Sequence, residues 1–254
     1  MSPRRVVITA GAGGIGRVTA EAFAAHGDLV HICDVDAEAL EAAVASHPGI
    51  SGSICDLANR AAIERFVPAA AERLGGIDVL INNAGVSGPT APVEAMDPDA
   101  WEAVLAVNLT GTFNVTRLAI PHLKRSEHGV ILILSSVGGR FGYPERSPYS
   151  VSKRGLLAFA ETLALELGDD GIRVNAIAPG GVDGERIQRV LQARAAASGR
   201  SLAEETADAL ANQTLKHFVD PADIAALSLF LASEHGRSIT GQTIPIDGGS
   251  KTAK

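Results

Sequence analysis

A short apolar run followed by a glycine-rich turn constrains this chain more than any other feature. Residues 6–8 read Val-Val-Ile, which is typical of a buried strand, and a helical pattern begins after the glycine turn and continues to about residue 26. Strand, glycine turn and helix in this order form a phosphate cradle, because glycines let the backbone approach a pyrophosphate and the free N–H groups of the helix meet its charge. The spacing from Gly11 to Gly16 satisfies G-x-G-x-x-G, which is weak evidence by itself.

A carboxylate after the second apolar run strengthens that interpretation. Residues 29–33 predict a strand, and Asp34 follows, 18 residues after Gly16. A carboxylate at this place accepts hydrogen bonds from the ribose of an adenosine. Asp34 would also repel a 2′-phosphate, and no Arg or Lys lies in the glycine turn or directly after Asp34, so the sequence predicts NAD rather than NADP. The alternative is that Asp34 and Asp36 cap the helix that begins near Ala37, although Asp36 could do this alone.

Strands and helices alternate along the rest of the chain. This order predicts an α/β fold, a doubly wound and mostly parallel seven-stranded Rossmann-type sheet in a single domain over residues 1–254. A hydrophobic fraction of 46% with only 4% aromatic residues agrees, since helices then bury parallel strands on both faces. Residues 183–217 read as two short helices over the rim, a small helical substrate lid, and residues 242–249 read as an edge strand.

Charge and targeting patterns narrow the partners. The net charge of −7 carries no basic stripe, which argues against nucleic acid and anionic membranes as partners. No run of about 18 apolar residues and no export signal is visible, so we expect a cytoplasmic protein. Cys33 and Cys55 follow predicted buried strands and are expected to be core thiols. The histidines show no metal-binding spacing, so no metal is expected.

Tyr149 and Lys153 are the strongest candidates for chemistry. Their i,i+4 spacing in the first turn of a predicted helix places the phenol and the ammonium on one face. A phenol titrates near pH ~10, so it handles protons at neutral pH only when a neighbouring cation stabilises the phenolate. Ser136 follows the apolar run at residues 130–134 and would bring a hydroxyl to the same rim, where the three groups could bind a carbonyl oxygen and move a proton. The alternative is an ordinary ion pair on a helix surface.

Three further polar features follow strands or interrupt helices. Asp56 and Leu57 follow the third strand, where Asp56 suits contact with an adenine ring or else only caps the next helix. Residues 82–85 read Asn-Asn-Ala-Gly, which suits packing against a nucleotide but is also an ordinary turn. Asn108 lies within a predicted helix, where it is either a tolerated surface residue or part of a local distortion with a function.

Taken together, these motifs resemble the short-chain dehydrogenase/reductase family over nearly the whole chain. The resemblance implies that Tyr149 is the general acid/base, that Lys153 stabilises the phenolate and holds the nicotinamide ribose, that Ser136 orients the substrate oxygen and that Asn108 supports a water-linked proton path. It implies a cofactor surface made of these residues: Gly11, Ala12, Gly13, Gly14, Ile15, Gly16, Asp34, Asp56, Leu57, Asn83, Ala84, Gly85, Tyr149, Lys153, Pro179, Gly180 and Val182.

Two positions depart from the family pattern. Ala10 stands where a glycine usually follows Thr9, which shifts the first glycine of the cradle to Gly11. Gly184 stands where a threonine usually holds the nicotinamide carboxamide, so closure over the cofactor is expected to differ.

The resemblance implies an NAD-dependent oxidoreductase that transfers a hydride between the nicotinamide and a secondary alcohol or ketone. It also implies a homotetramer, with a dimer as the alternative. A non-catalytic NAD-binding regulatory protein on the same fold is the alternative from another class. A sugar-nucleotide epimerase or dehydratase is a third alternative. It is less favoured, because such an enzyme would normally need an added substrate domain.

Arginines near the expected pocket suggest an oxygen-rich substrate, anionic or sugar-like, such as a sugar, a polyol or a hydroxy acid. They lie in the lid and in the loop before Tyr149: Arg186, Arg189, Arg194, Arg200, Arg140 and Arg146. The alternatives are a solvated helix face and, given the nearby aromatic side chains of Phe141, Tyr143 and Tyr149, a flat apolar ring as substrate.

Overall fold

A parallel sheet forms the centre of the molecule. The computed structural model describes residues 3–253, apart from the side chains of Arg186, Ala193 and Ala197. Its strands are β1 (Arg5–Thr9), β2 (Leu29–Asp34), β3 (Ile50–Ile54), β4 (Val79–Asn82), β5 (Val130–Leu134), β6 (Arg173–Pro179) and β7 (Thr243–Ile246). They lie in the order β3-β2-β1-β4-β5-β6-β7, and each neighbouring pair is parallel. The prediction of a doubly wound seven-stranded sheet is confirmed, and β7 is the predicted edge strand.

Helices cover both faces of the sheet. They are α1 (Gly14–Ala25), α2 (Ala37–Ser46), α3 (Arg60–Leu74), α4 (Pro98–Leu105), α5 (Thr112–Leu123), α6 (Val137–Arg140), α7 (Ser147–Leu167), α8 (Glu185–Ser198), α9 (Leu202–Ala211) and α10 (Pro221–Leu231). One buried apolar cluster joins α3, α5 and α7 to the sheet, and a second joins α1, α2 and α10 to the other face. Strands buried on both faces explain the continuous apolar runs in the sequence.

The reversal of strand order lies between β1 and β4. Chain connections leave these two strands in opposite directions, so a crevice opens beyond their carboxyl ends, which is where ligands bind in sheets of this kind. The glycine turn follows β1, and the segment from Asn83 to Gly85 follows β4. The topology therefore brings these two motifs to one rim.

The helical segment Pro98–Leu123 is continuous through a π-helical turn at Ala106–Gly111. By length and composition it is long and apolar enough to cross a membrane. In this fold its second half packs on the core, where Val115, Ala119 and Leu123 have no exposed surface. Its apolar character is thus accounted for by the sheet that it covers.

The predicted excursion over residues 183–217 contains the two expected helices, α8 and α9. Ser201 and Glu204 form a capping box at the start of α9, and the buried carboxylate of Glu205 accepts a 2.8 Å hydrogen bond from Ser198 Oγ, which ties α9 to α8. The Leu215 N–H donates to the Gly248 carbonyl at 2.8 Å. The excursion is therefore anchored at its far end to the segment that follows β7.

Candidate active site

The glycine turn after β1 is held against two other strands. The Gly11 N–H donates to the Cys33 carbonyl at 3.0 Å, and a Cβ atom on Gly16 would overlap the carbonyl oxygen of Ala10. Ala10 itself has a φ of +50°, in the left-handed region. The backbone at Ala10 thus takes a conformation that costs an alanine energy and that a glycine adopts freely.

The start of α1 is open to a ligand. Gly13 caps this helix without a side-chain hydrogen bond, and Cβ atoms on Gly13 or Gly14 would meet no protein atom within 4 Å. Gly14 has a φ of +52°, which favours glycine. Ala12 is buried and Ile15 is half-buried beneath this opening. Uncapped N–H groups and free space above them fit a pyrophosphate.

Asp34 faces the glycine turn. Its Oδ2 accepts a hydrogen bond from the Ala12 N–H at 3.1 Å, and its Oδ1 accepts one from the Val35 N–H at 2.8 Å. The cap of α2 is Asp36, whose side chain accepts from the Ala39 N–H at 3.0 Å. The capping alternative for Asp34 is therefore wrong, and its carboxylate lies at the rim beside the turn.

Asp56 and Leu57 differ in their surroundings. Asp56 is exposed and its Oδ1 accepts from the Ala58 N–H at 2.8 Å, whereas Asn59 caps α3 by accepting from the Ala62 N–H. The capping alternative for Asp56 is thus wrong as well. The side chain of Leu57 is buried in the core, which leaves Asp56 as the group at this rim that faces solvent.

Cys33 and Cys55 are free and buried, as expected for core thiols. Their side chains contact each other, and this contact together with burial raises the pKa of the Cys33 thiol well above its usual value.

Asn83 braces the glycine turn. Its Nδ2 donates to the carbonyls of Thr9 and Ala10, at 3.1 and 2.9 Å, while the N–H groups of Asn83 and Ala84 donate to Thr9 Oγ1 at 3.0 and 3.1 Å. The ordinary-turn alternative is insufficient, because this amide joins β4 to the turn after β1. Thr9 is a residue that the motif contains but that sequence reasoning did not assign to the site.

Asn108 lies in the π-helical turn between α4 and α5. It is fully buried; its Oδ1 accepts from the Val86 N–H at 2.7 Å, and its Nδ2 donates to the Val86 carbonyl and to Ser152 Oγ at 3.0 Å each. The alternative of a tolerated surface residue is wrong. The local distortion turns Asn108 toward the helix that carries the tyrosine, and π-turns of this kind are frequent at functional sites.

Ser136 stands two residues after β5, as the sequence predicts. Its Oγ accepts a hydrogen bond from the Gly138 N–H at 3.1 Å and caps the short helix α6. A Cβ atom on Gly138 would lie 3.1 Å from the ring of Tyr149, so the absence of a side chain lets this helix approach the phenol. Because a hydroxyl both accepts and donates, the O–H of Ser136 can still donate to a substrate oxygen.

Lys153 is buried beneath Tyr149. Its Nζ donates to the Leu134 carbonyl at 2.7 Å and lies 5.9 Å from the centroid of the Tyr149 ring. Only 4% of Lys153 is exposed, and a Cβ atom on Gly85 would lie 3.0 Å from its Nζ. The structure thus brings Lys153 together with the end of β5, the segment after β4 and the phenol ring, which a pair on a helix surface would not do.

The segment after β6 closes the rim on the other side. The Gly180 N–H donates to the Ile246 carbonyl at 3.0 Å, and a Cβ on Gly180 would lie 2.8 Å from Asp247 Cα, so Pro179 and Gly180 pack closely on β7. Val182 forms a parallel bridge with Val219 at the base of the lid. Gly184 has a φ of +136°, a conformation that a threonine rarely adopts.

Comparisons with known proteins agree with this geometry. Residues 10–251 match the family model described as Enoyl-(Acyl carrier protein) reductase. The chain is 36% identical over 247 residues to a 3-oxoacyl-[acyl-carrier-protein] reductase of Thermotoga maritima, with 96% of each chain covered. It is 33% identical to a D-beta-hydroxybutyrate dehydrogenase of Cupriavidus necator, with 98% of each covered.

The chain belongs to the short-chain dehydrogenase/reductase family.

Solved structures of family members superpose closely. NAD+-bound xylitol dehydrogenase gives a TM-score of 0.91 at 29% identity, covering 97% of this chain and 98% of that one. An actinorhodin polyketide ketoreductase with NADPH gives 0.91 at 30% identity, with 96% of each covered. This short-chain dehydrogenase/reductase is therefore an oxidoreductase that uses a nicotinamide cofactor and acts on small molecules. Relatives with either cofactor are among its matches.

The arginines near the site of this short-chain dehydrogenase/reductase have different surroundings. Arg140 forms an ion pair with Asp247, with Nη1 2.8 Å from Oδ2, and Arg200 lies 3.4 Å from Glu205. The side chain of Arg186 lies outside the described residues. Arg146 differs in position from these arginines. It lies directly before α7, and its guanidinium lies beside the ring of Tyr149.

Proposed function

We propose that this enzyme is an NAD-dependent dehydrogenase or reductase acting on a secondary alcohol or its ketone. The observation that carries the proposal is the position of Lys153, buried and bonded to the Leu134 carbonyl directly beneath Tyr149. A buried ammonium stabilises negative charge on the neighbouring phenol oxygen, which a proton-transferring tyrosine requires. The bound nicotinamide accepts or donates the hydride.

The family resemblance assigns roles to the four polar residues, and their surroundings support these roles. In alcohol oxidation Tyr149 would take the hydroxyl proton, and a nicotinamide bound beside it would supply the acceptor for the hydride. The O–H of Ser136 donates to the substrate oxygen and fixes its position beside the phenol. Lys153 binds the nicotinamide ribose and favours the phenolate. Asn108, bonded to Ser152 Oγ, holds the turn between α4 and α5 against α7, and the family resemblance assigns it a water-linked proton path.

The preference for NAD rests on Asp34. Its carboxylate accepts from the Ala12 N–H in the glycine turn, so a negative charge lies where a 2′-phosphate would have to bind. Val35 and Asp36 follow it, and neither can neutralise a phosphate. Arg17, which directly follows the glycine turn, forms an ion pair with Glu21 at 2.9 Å. These surroundings favour a ribose with a free 2′-hydroxyl.

The remaining assignments are part of the same proposal. Residues 183–217 act as a substrate lid, because the excursion is anchored beside Gly248 at the rim of the sheet. We expect a cytoplasmic homotetramer in which exposed apolar side chains of α5 and α7 meet a second copy. A regulatory NAD-binding protein without activity could use Lys153 to hold the ribose but would not need the Tyr149 phenol above it, so the catalytic proposal is favoured.

The direct test is a dehydrogenase assay. The purified protein is incubated with NAD or NADP and a panel of sugars, polyols, hydroxy acids and cyclic alcohols, and formation of the reduced nicotinamide is followed by absorbance. We expect turnover with NAD that Tyr149→Phe removes. NADH binding by the wild type without turnover of any alcohol or ketone would instead favour the regulatory alternative.

A further inference from the structure

The guanidinium of Arg146 lies against the proposed proton-transferring residue. Its Cζ is 5.9 Å from the ring centroid of Tyr149 and 5.6 Å from that of Tyr143. Its Nη1 donates to Thr90 Oγ1 at 2.8 Å. Within residues 3–253, no carboxylate forms an ion pair with it. A positive charge without a counter-ion therefore lies beside the phenol.

Polar atoms at this place lack partners. Arg146 Nε and Ser147 Oγ are buried and have no hydrogen-bond partner among the described residues. Buried polar groups are nearly always bonded, so these two atoms mark a turn whose hydrogen bonding is incomplete in the protein alone. Arg146 also caps the 21-residue helix α7 without a side-chain hydrogen bond, so the positive end of that helix is open. Each of these features favours an acceptor with negative charge.

The other arginines of the region are less suited to this role. Arg140 is neutralised by Asp247, which is itself buried, and Arg200 is paired with Glu205. Arg189 is exposed on α8. Of the arginines that the sequence singled out, Arg146 is the one with a described contact to the Tyr149 ring.

We propose that Arg146 binds a carboxylate of the substrate, so that the enzyme acts on short hydroxy acids and the corresponding oxo acids. This rests on the proposed function, because the reacting oxygen is taken to meet Tyr149. The terminal N–H groups of a guanidinium that are not used by Thr90 can donate to the oxygens of a carboxylate. Since Arg146 lies against the Tyr149 ring, the carboxylate and the reacting carbon are separated by only a few bonds. A sugar or polyol would leave the charge of Arg146 unpaired.

Kinetics with matched substrates test this assignment. Each hydroxy acid of a short-chain series is compared with its methyl ester, using NAD and the wild type or Arg146→Gln. We expect kcat/KM to fall by about 30-fold or more on the acid, mainly through KM, and by less than about threefold on the ester. Arg146→Lys should recover part of the loss. Arg125→Gln, an exposed charge outside the site, should change neither substrate by more than about twofold.

Binding of malonate to the protein–NADH complex, measured by calorimetry, gives a readout that needs no turnover. The wild type should bind it and Arg146→Gln should bind at least about tenfold more weakly. Equal losses on acid and ester would mean that Arg146 only positions Tyr149, and a loss in Arg189→Gln instead would place the anion under the lid; either result overturns the assignment. Turnover of neutral alcohols without preference for acids would overturn it while leaving the proposed function intact. Malonate binding that depends on Arg146 without any turnover would support the anion site and count against the proposed function.

Discussion

Lys153 donates a 2.7 Å hydrogen bond from its Nζ to the carbonyl oxygen of Leu134, which joins helix α7 to the end of strand β5. The two residues are 19 positions apart in the chain. Because this bond fixes the ammonium under Tyr149, it couples the position of the tyrosine helix to the sheet. The ammonium proposed to favour the phenolate is thereby held by the core of the fold.

Tyr149→Phe should remove turnover and preserve cofactor binding. The change deletes the proton-handling oxygen but keeps the ring that packs on Gly138, so we expect kcat to fall by about 10²-fold or more. Lys153→Met should lower kcat and weaken NADH binding together, since the ammonium is proposed to serve both. Steady-state assays and NADH fluorescence titrations measure the two effects. A Phe variant that keeps a tenth of the wild-type kcat would reassign the acid/base role.

Asp34→Asn should reduce the preference for NAD. We expect the wild type to prefer NAD over NADP by at least about tenfold, roughly 1.4 kcal/mol, because of like-charge repulsion. Asparagine keeps an oxygen for the Ala12 N–H but removes the charge, so the ratio of kcat/KM values should move toward one. Asp36→Asn, which retains a capping side chain for α2, is the matched control and should leave the ratio within about twofold. Equal kcat/KM values with both cofactors in the wild type would contradict the assignment.

Ala10→Gly should stabilise the protein. A left-handed alanine costs about 1–2 kcal/mol, whereas the added freedom of glycine in the unfolded chain costs about 0.5–1 kcal/mol, so a net gain of about 0.5–1 kcal/mol is expected. Ala12→Gly in the same turn is the control, and it should destabilise because Ala12 has no positive φ and its methyl is buried. Urea unfolding without cofactor compares the two. A loss of stability in Ala10→Gly would show that the turn is not strained there.

His31 should make the protein sensitive to mild acid. Its ring nitrogens lie 2.8 and 2.9 Å from the hydroxyl oxygens of Ser51 and Ser53, and burial, with a smaller contribution from Arg73, lowers the pKa of His31 to about 4 from 6.5. The unfolded chain therefore binds the proton more readily than the folded one between pH 6.5 and 4. The contribution of neutral His31 to the free energy of unfolding is fully present above pH 6.5. It is lost as the pH falls through this window, by up to roughly 3 kcal/mol.

His31→Asn isolates that contribution. The variant should be less stable than the wild type at pH 7. The difference should shrink toward pH 4, because only the wild type loses stability through protonation of His31. Urea unfolding at a series of pH values measures both proteins. Parallel stability curves would show that the burial of His31 has no effect on the acid response.

Leu165→Asp should disrupt the proposed tetramer. The sequence shows an apolar surface around most of α7, but Leu156, Leu157, Leu163 and Leu167 are buried in the monomer core. Leu165 remains 87% exposed on α7, and Val151 and Phe113 are about half exposed on α7 and α5. Light scattering should give four times the monomer mass of 26.2 kDa for the wild type and less for Leu165→Asp. Val93→Asp, an exposed apolar residue elsewhere, is the control; a wild-type mass near 26.2 kDa would refute both tetramer and dimer.

Motifs with short spacing were predicted well from the sequence. The glycine turn, the carboxylate 18 residues after it and the Tyr149–Lys153 pair depend on local backbone geometry, and the structure places them where the spacing predicts. Residues with a second local role open to them could not be resolved in this way. Helix capping stayed open as an alternative for Asp34 and Asp56, and the observed caps, Asp36 and Asn59, exclude it.

The sequence by itself determined the order of strands and helices, the family and the chemical groups at the rim, because these follow from periodicity and from motifs a few residues long. Only the tertiary structure decided what each group contacts. Asn83 turned out to bond Thr9 and Ala10 across the crevice, and Arg140 to pair with Asp247, 107 residues away. It also placed Arg146 against the Tyr149 ring, with no ion pair to a carboxylate among the described residues. Such contacts depend on how separate elements pack, which fixes the direction of each side chain and which no local pattern encodes.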